Sequence, residues 1–171
     1  MNIAKCIWFT GLPCSGKTTI ASGLQERLYN NKIKTIVLDG DSLRSSVNSD
    51  LGFDEKSRNE SIRRVASIAH LLYSQNITVI VSTISPLRKH RDFARQLFCK
   101  DIFFEIYLST SLDVCEKRDI KGMYRKARNK EIHNFTGIGS KYEIPKNSFL
   151  ELDTAKFSID QSIDIIHKKI F

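Results

Sequence analysis

No uninterrupted apolar run in this chain is longer than the four residues Cys6 to Phe9, and the stretch Ile77 to Ile84 is broken by Thr78, Ser82 and Thr83. A membrane-spanning helix needs about 20 apolar residues, so none is expected. The amino terminus, Met1 to Phe9, lacks a basic segment followed by a long apolar stretch and a small-residue cleavage site, and export is not expected either. Cysteines are few and scattered: Cys6, Cys14, Cys99 and Cys115 form no CxxC pair and no Cys/His cluster. This argues against a disulfide framework or a zinc site and predicts a reducing, cytoplasmic setting. His70, His90, His133 and His167 have no metal-ligand spacing and read as structural or solvated. Internal repeats and low-complexity segments are also missing.

What the chain does have is enough material for one domain. Its 171 residues are 41% hydrophobic and 27% charged, which permits a packed core. Lys and Arg number 27 against 19 Asp and Glu, a net charge of +8 that favours anionic partners. Short β-branched and aromatic runs at Lys5 to Thr10, Thr35 to Asp39, Ile77 to Ile84 and Ile102 to Leu108 predict buried strands. Lys17 to Tyr29 and Glu55 to Tyr73 have helical periodicity, with Ile62, Val65, Ala69 and Leu72 on one face of the second. Arg88 to Phe98 and Ser111 to Arg118 are shorter helical segments. Ile159, Ile163, Ile166 and Ile170 mark a closing helix that Ser158 and Gln161 start with a capping box. Strands alternating with helices predict an α/β domain with a mainly parallel sheet covered on both faces. Lys117 to Lys130 breaks the pattern with seven basic residues and one acid, and leads into the glycine-containing Phe135 to Gly139. Its place late in such a domain predicts a mobile basic lid over about 117–140.

Gly11 to Thr18, GLPCSGKT, matches GxxxxGK[ST] completely. A chance match in a chain this long is on the order of 1 in 200. The loop follows a predicted strand and opens a predicted helix, the context in which backbone N–H groups and a helix N-terminus cradle phosphates. Lys17 is expected on the β and γ phosphates and the Thr18 hydroxyl on Mg²⁺. Asp39-Gly40-Asp41 ends the second strand, where parallel sheets place ligand residues. A carboxylate there holds a metal-bound water or accepts a proton from an attacking hydroxyl. Arg44, Arg58, Arg63 and Arg64 follow, side chains suited to anionic oxygens although each alone reads more readily as a surface residue.

With these motifs in place the chain resembles the adenylylsulfate kinase family of P-loop kinases. The resemblance runs from about Lys5 to Thr154. It rests on GLPCSGKTT at 11–19, DGDSLR at 39–44, LGFDEKSRNESIRRV at 51–65, ISP at 84–86, CEKRDIKGMYRKAR at 115–128 and NFTGI at 134–138. It implies a five-stranded sheet and transfer of the ATP γ-phosphoryl group, with Mg²⁺, to the ribose 3′-hydroxyl of a small anionic nucleotide, adenylylsulfate by default. By the same resemblance Gly11, Cys14, Ser15, Gly16, Lys17, Thr18, Thr19 and Arg118 bind ATP. Asp39 lies by the metal with Thr18, and Asp41 is the base. Arg44, Phe53, Arg58, Ser61, Ile84, Lys121 and Phe135 contact the acceptor, with Phe135 stacked on its base. Ser85 matches a serine that some members phosphorylate, and the resemblance leaves room for a homodimer.

The departures from the family pattern lie mostly on the acceptor side. Ser61 stands where an asparagine is common, Ser42 replaces the asparagine of DGDN, and Thr83 and Leu87 replace aromatics. Gly139 stands where an acid usually follows FTGI. Less amide readout and stacking surface lead to the expectation of poor adenylylsulfate turnover, with cytidine diphosphoramidate, used by relatives in capsule assembly, as the alternative acceptor. A regulatory GTPase is disfavoured because Asn129-Lys130-Glu131-Ile132 lacks the aspartate of NKxD. A nucleic-acid module is disfavoured because Tyr124 and Phe135 alone make no extended stacking platform.

Overall fold

Every residue of Cys6–Gly11 and Thr78–Ser82 is buried, as expected of parallel strands sheathed by helices on both faces. The computed structural model describes residues 3–171; Met1 and Asn2, which open the stretch read for an export signal, lie outside the described residues. The strands are β1 (Cys6–Gly11), β2 (Thr35–Asp39), β3 (Thr78–Ser82), β4 (Phe103–Leu108) and β5 (Leu150–Leu152). They form one sheet in the order β2-β3-β1-β4-β5, and every pair is parallel. The helices are α1 (Lys17–Asn30), α2 (Gly40–Arg44), α3 (Glu55–Ser74), α4 (Arg88–Gln96), α5 (Leu112–Arg118), α6 (Met123–Arg128) and α7 (Ile159–Ile170).

Because side chains alternate along a strand, the sheet feeds two cores. Ile7, Phe9, Ile80, Ile106 and Leu108 point to one face and pack with Ile20, Leu24 and Leu28 of α1 and Ile163, Ile166 and Ile170 of α7. Cys6, Trp8, Val79, Val81 and Phe103 point to the other and meet Ile62, Val65 and Ala69 of α3 and Ala94 of α4. No helix among the described residues is long and apolar enough to cross a membrane.

The predicted elements are present with adjusted ends. β3 stops at Ser82, short of Ile84, and α4 stops at Gln96. Asp39-Gly40-Asp41 passes directly from strand to helix: Asp39 accepts from the Asp41 backbone N–H at 3.0 Å as an N-cap, and α2 begins at once. β5 has three residues with Glu151 exposed, too short to leave a periodic signature. The capping box of α7 is present as read, but Ile159 is exposed while Ile163, Ile166 and Ile170 are buried.

Ile166 is fully buried in the α7 core. Ile166→Ala is expected to lower unfolding free energy by about 2–5 kcal/mol, and Ser158→Ala, which removes only the cap, by about 1 kcal/mol. Urea denaturation of both variants measures the order.

Candidate active site

The site is assembled at the carboxyl ends of the strands. Gly11 has φ +152, and a Cβ there would meet the Leu108 carbonyl oxygen at 2.8 Å, so the chain needs glycine where β1 turns into the phosphate loop. Gly16, φ +95, caps α1 with no side-chain bond, leaving the first N–H groups of a 14-residue helix free for an anion. Cys14 also holds a positive φ of 61 within the loop.

Lys17 is folded back over this loop. Its Nζ donates to the carbonyl oxygens of Gly11 at 3.0 Å and Leu12 at 2.7 Å and lies 3.3 Å from Ser15 Oγ. Burial pushes its pKa down to about 8. Thr18 Oγ1 donates to Asp39 Oδ2 at 2.8 Å and lies 3.4 Å from Ser82 Oγ, because Asp39 and Ser82 are register partners on β2 and β3. These are hard oxygen donors at the mouth of a phosphate cradle, a set that fits Mg²⁺ completed by phosphates and water. Thr18 and Asp39 would hold the ion, which supplies charge neutralisation on the phosphates. On the other side of the loop, Arg118 donates to Thr154 Oγ1 at 2.8 Å and to the Cys14 carbonyl at 3.4 Å. Thr154, which in turn donates to the Ser15 carbonyl at 3.0 Å, carried no motif in the sequence.

Of the residues expected on the acceptor side, Arg44, Phe53 and Arg58 contact one another and Arg58 reaches the loop of Phe135, while Lys121, Ser61 and Ile84 bond to other partners. Lys121 pairs with Asp41, which raises the lysine's pKa. The Arg44 guanidinium lies 4.2 Å from the centre of the Phe53 ring. Arg58 donates to the Phe53 carbonyl at 2.8 Å and to Thr136 Oγ1 at 2.7 Å, and also bonds the Asn134 carbonyl. It thereby ties the loop of Phe53 to the loop of Phe135. Phe135 packs edge-on against Tyr124 at 4.9 Å, and the Tyr124 hydroxyl donates to the Pro13 carbonyl, so α6 lies against the phosphate loop. Ser61 Oγ accepts from Asn48 Nδ2 at 2.9 Å, and the Asn48 Oδ1 is buried without a partner. Arg63 and Arg64 do not join the site: both pair with Glu60, and Arg64 also with Asp50. A cavity of about 650 Å³ opens beside Leu12, between Ser109 to Leu112 and the segment 137–144, and none of the residues expected to contact the acceptor lines it.

Tyr142 and Glu143 were not recognised from sequence. Ile84 and Ser85 sit in the loop after β3, and this loop is sewn to the segment before β5. The Glu143 N–H donates to the Pro86 carbonyl at 2.7 Å, and the Arg88 N–H donates to Glu143 Oε2 at 2.9 Å. Thr10 donates to the Ile84 carbonyl at 2.7 Å and shares a bond with the Tyr142 hydroxyl at 2.8 Å. Ser85 is 1% exposed, and its hydroxyl accepts from Trp8 Nε1 at 2.9 Å and shares a bond with Thr83, which withdraws it from solvent. No periodicity marks these contacts, since all but the Thr83–Ser85 bond join segments more than fifty residues apart.

The Adenylylsulphate kinase family model matches residues 3–153. An adenylyl-sulfate kinase of Bacteroides thetaiotaomicron is 46% identical over 158 residues, 92% of this chain and 79% of that protein. One from Bacillus velezensis is 49% identical over 153 residues, 90% of this chain and 78% of that protein. The structure of the Mycobacterium tuberculosis APS kinase CysC in complex with AMPPNP and APS superposes with a TM-score of 0.94 at 42% identity, covering 99% of both chains.

The low pKa of Lys17 gives a signed expectation for ATP binding. A bound phosphate stabilises the ammonium form, so affinity is level below pH 8 and falls as pH rises through about 8, where the unliganded lysine loses its proton. The loss approaches about tenfold per pH unit. Calorimetric titration of ATP across this range measures it, and Lys17→Ala is expected to bind weakly with no such slope while keeping the fold.

Proposed function

The chain belongs to the adenylylsulphate kinase family, and from that premise we propose that it transfers the ATP γ-phosphoryl group to the ribose 3′-hydroxyl of adenylylsulfate. It is a phosphotransferase that uses ATP and a hydroxyl acceptor. The observation that carries the reading is the pair of carboxylates at the end of β2: Asp39 bonds the phosphate-loop Thr18, and Asp41 faces the lid lysine Lys121. One carboxylate serves the donor's phosphates and the other is left for the acceptor.

Phosphoryl transfer of this kind depends on positioning and charge neutralisation. Lys17 leaves the Gly11 and Leu12 carbonyls for the β and γ phosphates. Thr18 and Asp39 would hold Mg²⁺, which would neutralise charge on the phosphates, and Arg118 beside Thr154 borders the nucleotide. Asp41 orients the 3′-hydroxyl and takes its proton. Arg44, Phe53, Arg58, Ser61, Ile84, Lys121 and Phe135 hold the acceptor nucleotide, and the segment 117–140 closes over both. The cytoplasm supplies ATP and keeps Cys14 and Cys115 reduced, and a second copy of the chain is a partner by family resemblance.

A second acceptor, cytidine diphosphoramidate in capsule biosynthesis, is favoured by one observation. Ser61 presents a single hydroxyl already engaged by Asn48, in place of the amide that adenylylsulfate kinases commonly carry. The test is to incubate the protein with ATP, Mg²⁺ and either nucleotide and to compare kcat/KM. The higher value for adenylylsulfate supports the first reading, and the higher value for the cytidine nucleotide supports the second. Transfer to neither, with ATP binding intact, overturns both.

Asp41→Asn is expected to lower kcat by about 10²–10⁴-fold with ATP affinity unchanged, because it removes proton acceptance and keeps the side-chain shape. Unchanged kcat with weakened ATP binding would assign Asp41 to the donor instead. For the lid, hydrogen exchange over Lys121 to Lys130 should slow when both nucleotides bind, as phosphates neutralise its like charges. Equal protection with and without nucleotides would remove the lid role.

A further inference from the structure

A buried guanidinium lies behind the acceptor residues and touches neither nucleotide site directly. Arg91, on α4, is 1% exposed, and Glu105, on β4, is 3% exposed. Arg91 Nε lies 3.1 Å from Glu105 Oε1. Its other two nitrogens point forward: Nη1 donates to the Ser85 carbonyl and Nη2 to the Glu143 carbonyl, each at 2.5 Å. The fork thus spans the loop that carries Ile84 and the segment that follows Phe135, while its face lies 5.7 Å from the centre of the Tyr142 ring. Ser85 is a non-glycine residue at φ +43, a conformation that persists only where surrounding bonds hold it. A planar fork with parallel donors can hold two carbonyls at a set separation, and an ammonium cannot reproduce that geometry.

We propose that Arg91 is a positioning residue for the acceptor: its guanidinium sets the distance between the Ile84 loop and the Phe135 segment, and Glu105 keeps its charge balanced. This deepens the reading of that side of the site as the acceptor pocket and rests on it. On the donor side, the hydrogen bonds of Lys17, Thr18, Arg118 and Thr154 go to residues other than Arg91, Ser85 and Glu143. Loss of the fork is therefore expected in acceptor binding and not in ATP binding. A purely structural ion pair would instead respond alike to changes in either partner.

Three variants separate these roles. Arg91→Lys keeps the charge and loses the fork, whereas Glu105→Gln keeps a hydrogen-bond acceptor and loses the charge. The double variant R91M/E105Q removes both charges, leaves no lone ion buried, and replaces Arg91→Lys in the comparison if that protein does not fold. The expected result is an acceptor KM raised about tenfold or more by loss of the fork, with the ATP KM within about twofold of wild type. Glu105→Gln is expected to lower Tm and leave both KM values unchanged. The chain has a single tryptophan, Trp8, whose indole N–H is bonded to Ser85, so its emission reports the loop without any nucleotide. That emission should shift with loss of the fork and stay constant in Glu105→Gln. The proposal is overturned if a folded fork-less variant keeps the wild-type acceptor KM and Trp8 emission, if both KM values rise together, or if Glu105→Gln reproduces the effect. Should the wild-type protein phosphorylate neither nucleotide, the functional reading fails, and Trp8 emission alone then decides the tie.

Discussion

The backbone ladder of β1, hydrogen-bonded in parallel to β3 on one side and β4 on the other, determines where the chemistry of this molecule sits. Parallel pairing sends every strand's carboxyl end to the same edge of the sheet. The phosphate loop therefore emerges between the ends of β3 and β4, within reach of both neighbours. Asp39 arrives from β2 because β2 lies next to β3 in register, and Thr154 arrives from beyond β5 on the opposite flank. The buried runs of β1 and β3 make that ladder rigid, since both strands are covered by helices on each face.

A chain with a net charge of +8 that binds anions must keep its cations satisfied when no anion is bound. Lys17 does so with loop carbonyls, Lys121 with Asp41, and Arg58 with the Phe53 and Asn134 carbonyls and Thr136. On the proposed function, ligand binding exchanges these bonds for bonds to phosphate and nucleotide. An exchange of hydrogen bonds has a small net free energy, whereas a donor or acceptor left unmatched costs about 1–3 kcal/mol. Selectivity then resides in which groups a given nucleotide leaves unmatched. On the proposed function, Ser61, Thr83 and Asn48 bear on acceptor choice in this way, while the donor side relies on backbone N–H groups and charge.

The pair Arg91 and Glu105 follows a different logic. A buried ion pair gains little over apolar packing, while loss of one partner costs about 3–5 kcal/mol. Burial holds the Glu105 carboxyl above the usual carboxylate range, and Arg95 and Arg91 offset only part of that rise. A pair of this kind is worth retaining where geometry matters more than stability. The guanidinium here spends its remaining donors on two loop carbonyls that flank the acceptor residues.

The phosphate loop, its Lys17 and Thr18, the carboxylates at 39 and 41, and the α/β alternation were all legible in the sequence. Each is a local pattern: fixed spacing in a turn, or apolar periodicity along one element. The capping box of α7 was legible for the same reason. The sequence by itself determined the element order and the phosphate loop, because those depend on residues close together in the chain. Only the tertiary structure decided that Ile159 faces outward, that β5 completes the sheet, and that Arg91, Tyr142 and Glu143 tie the loop of Ile84 to the segment before β5. These outcomes depend on hydrogen bonds and contacts between residues far apart in the chain, and side chains satisfied at such a distance leave no periodic trace in the sequence.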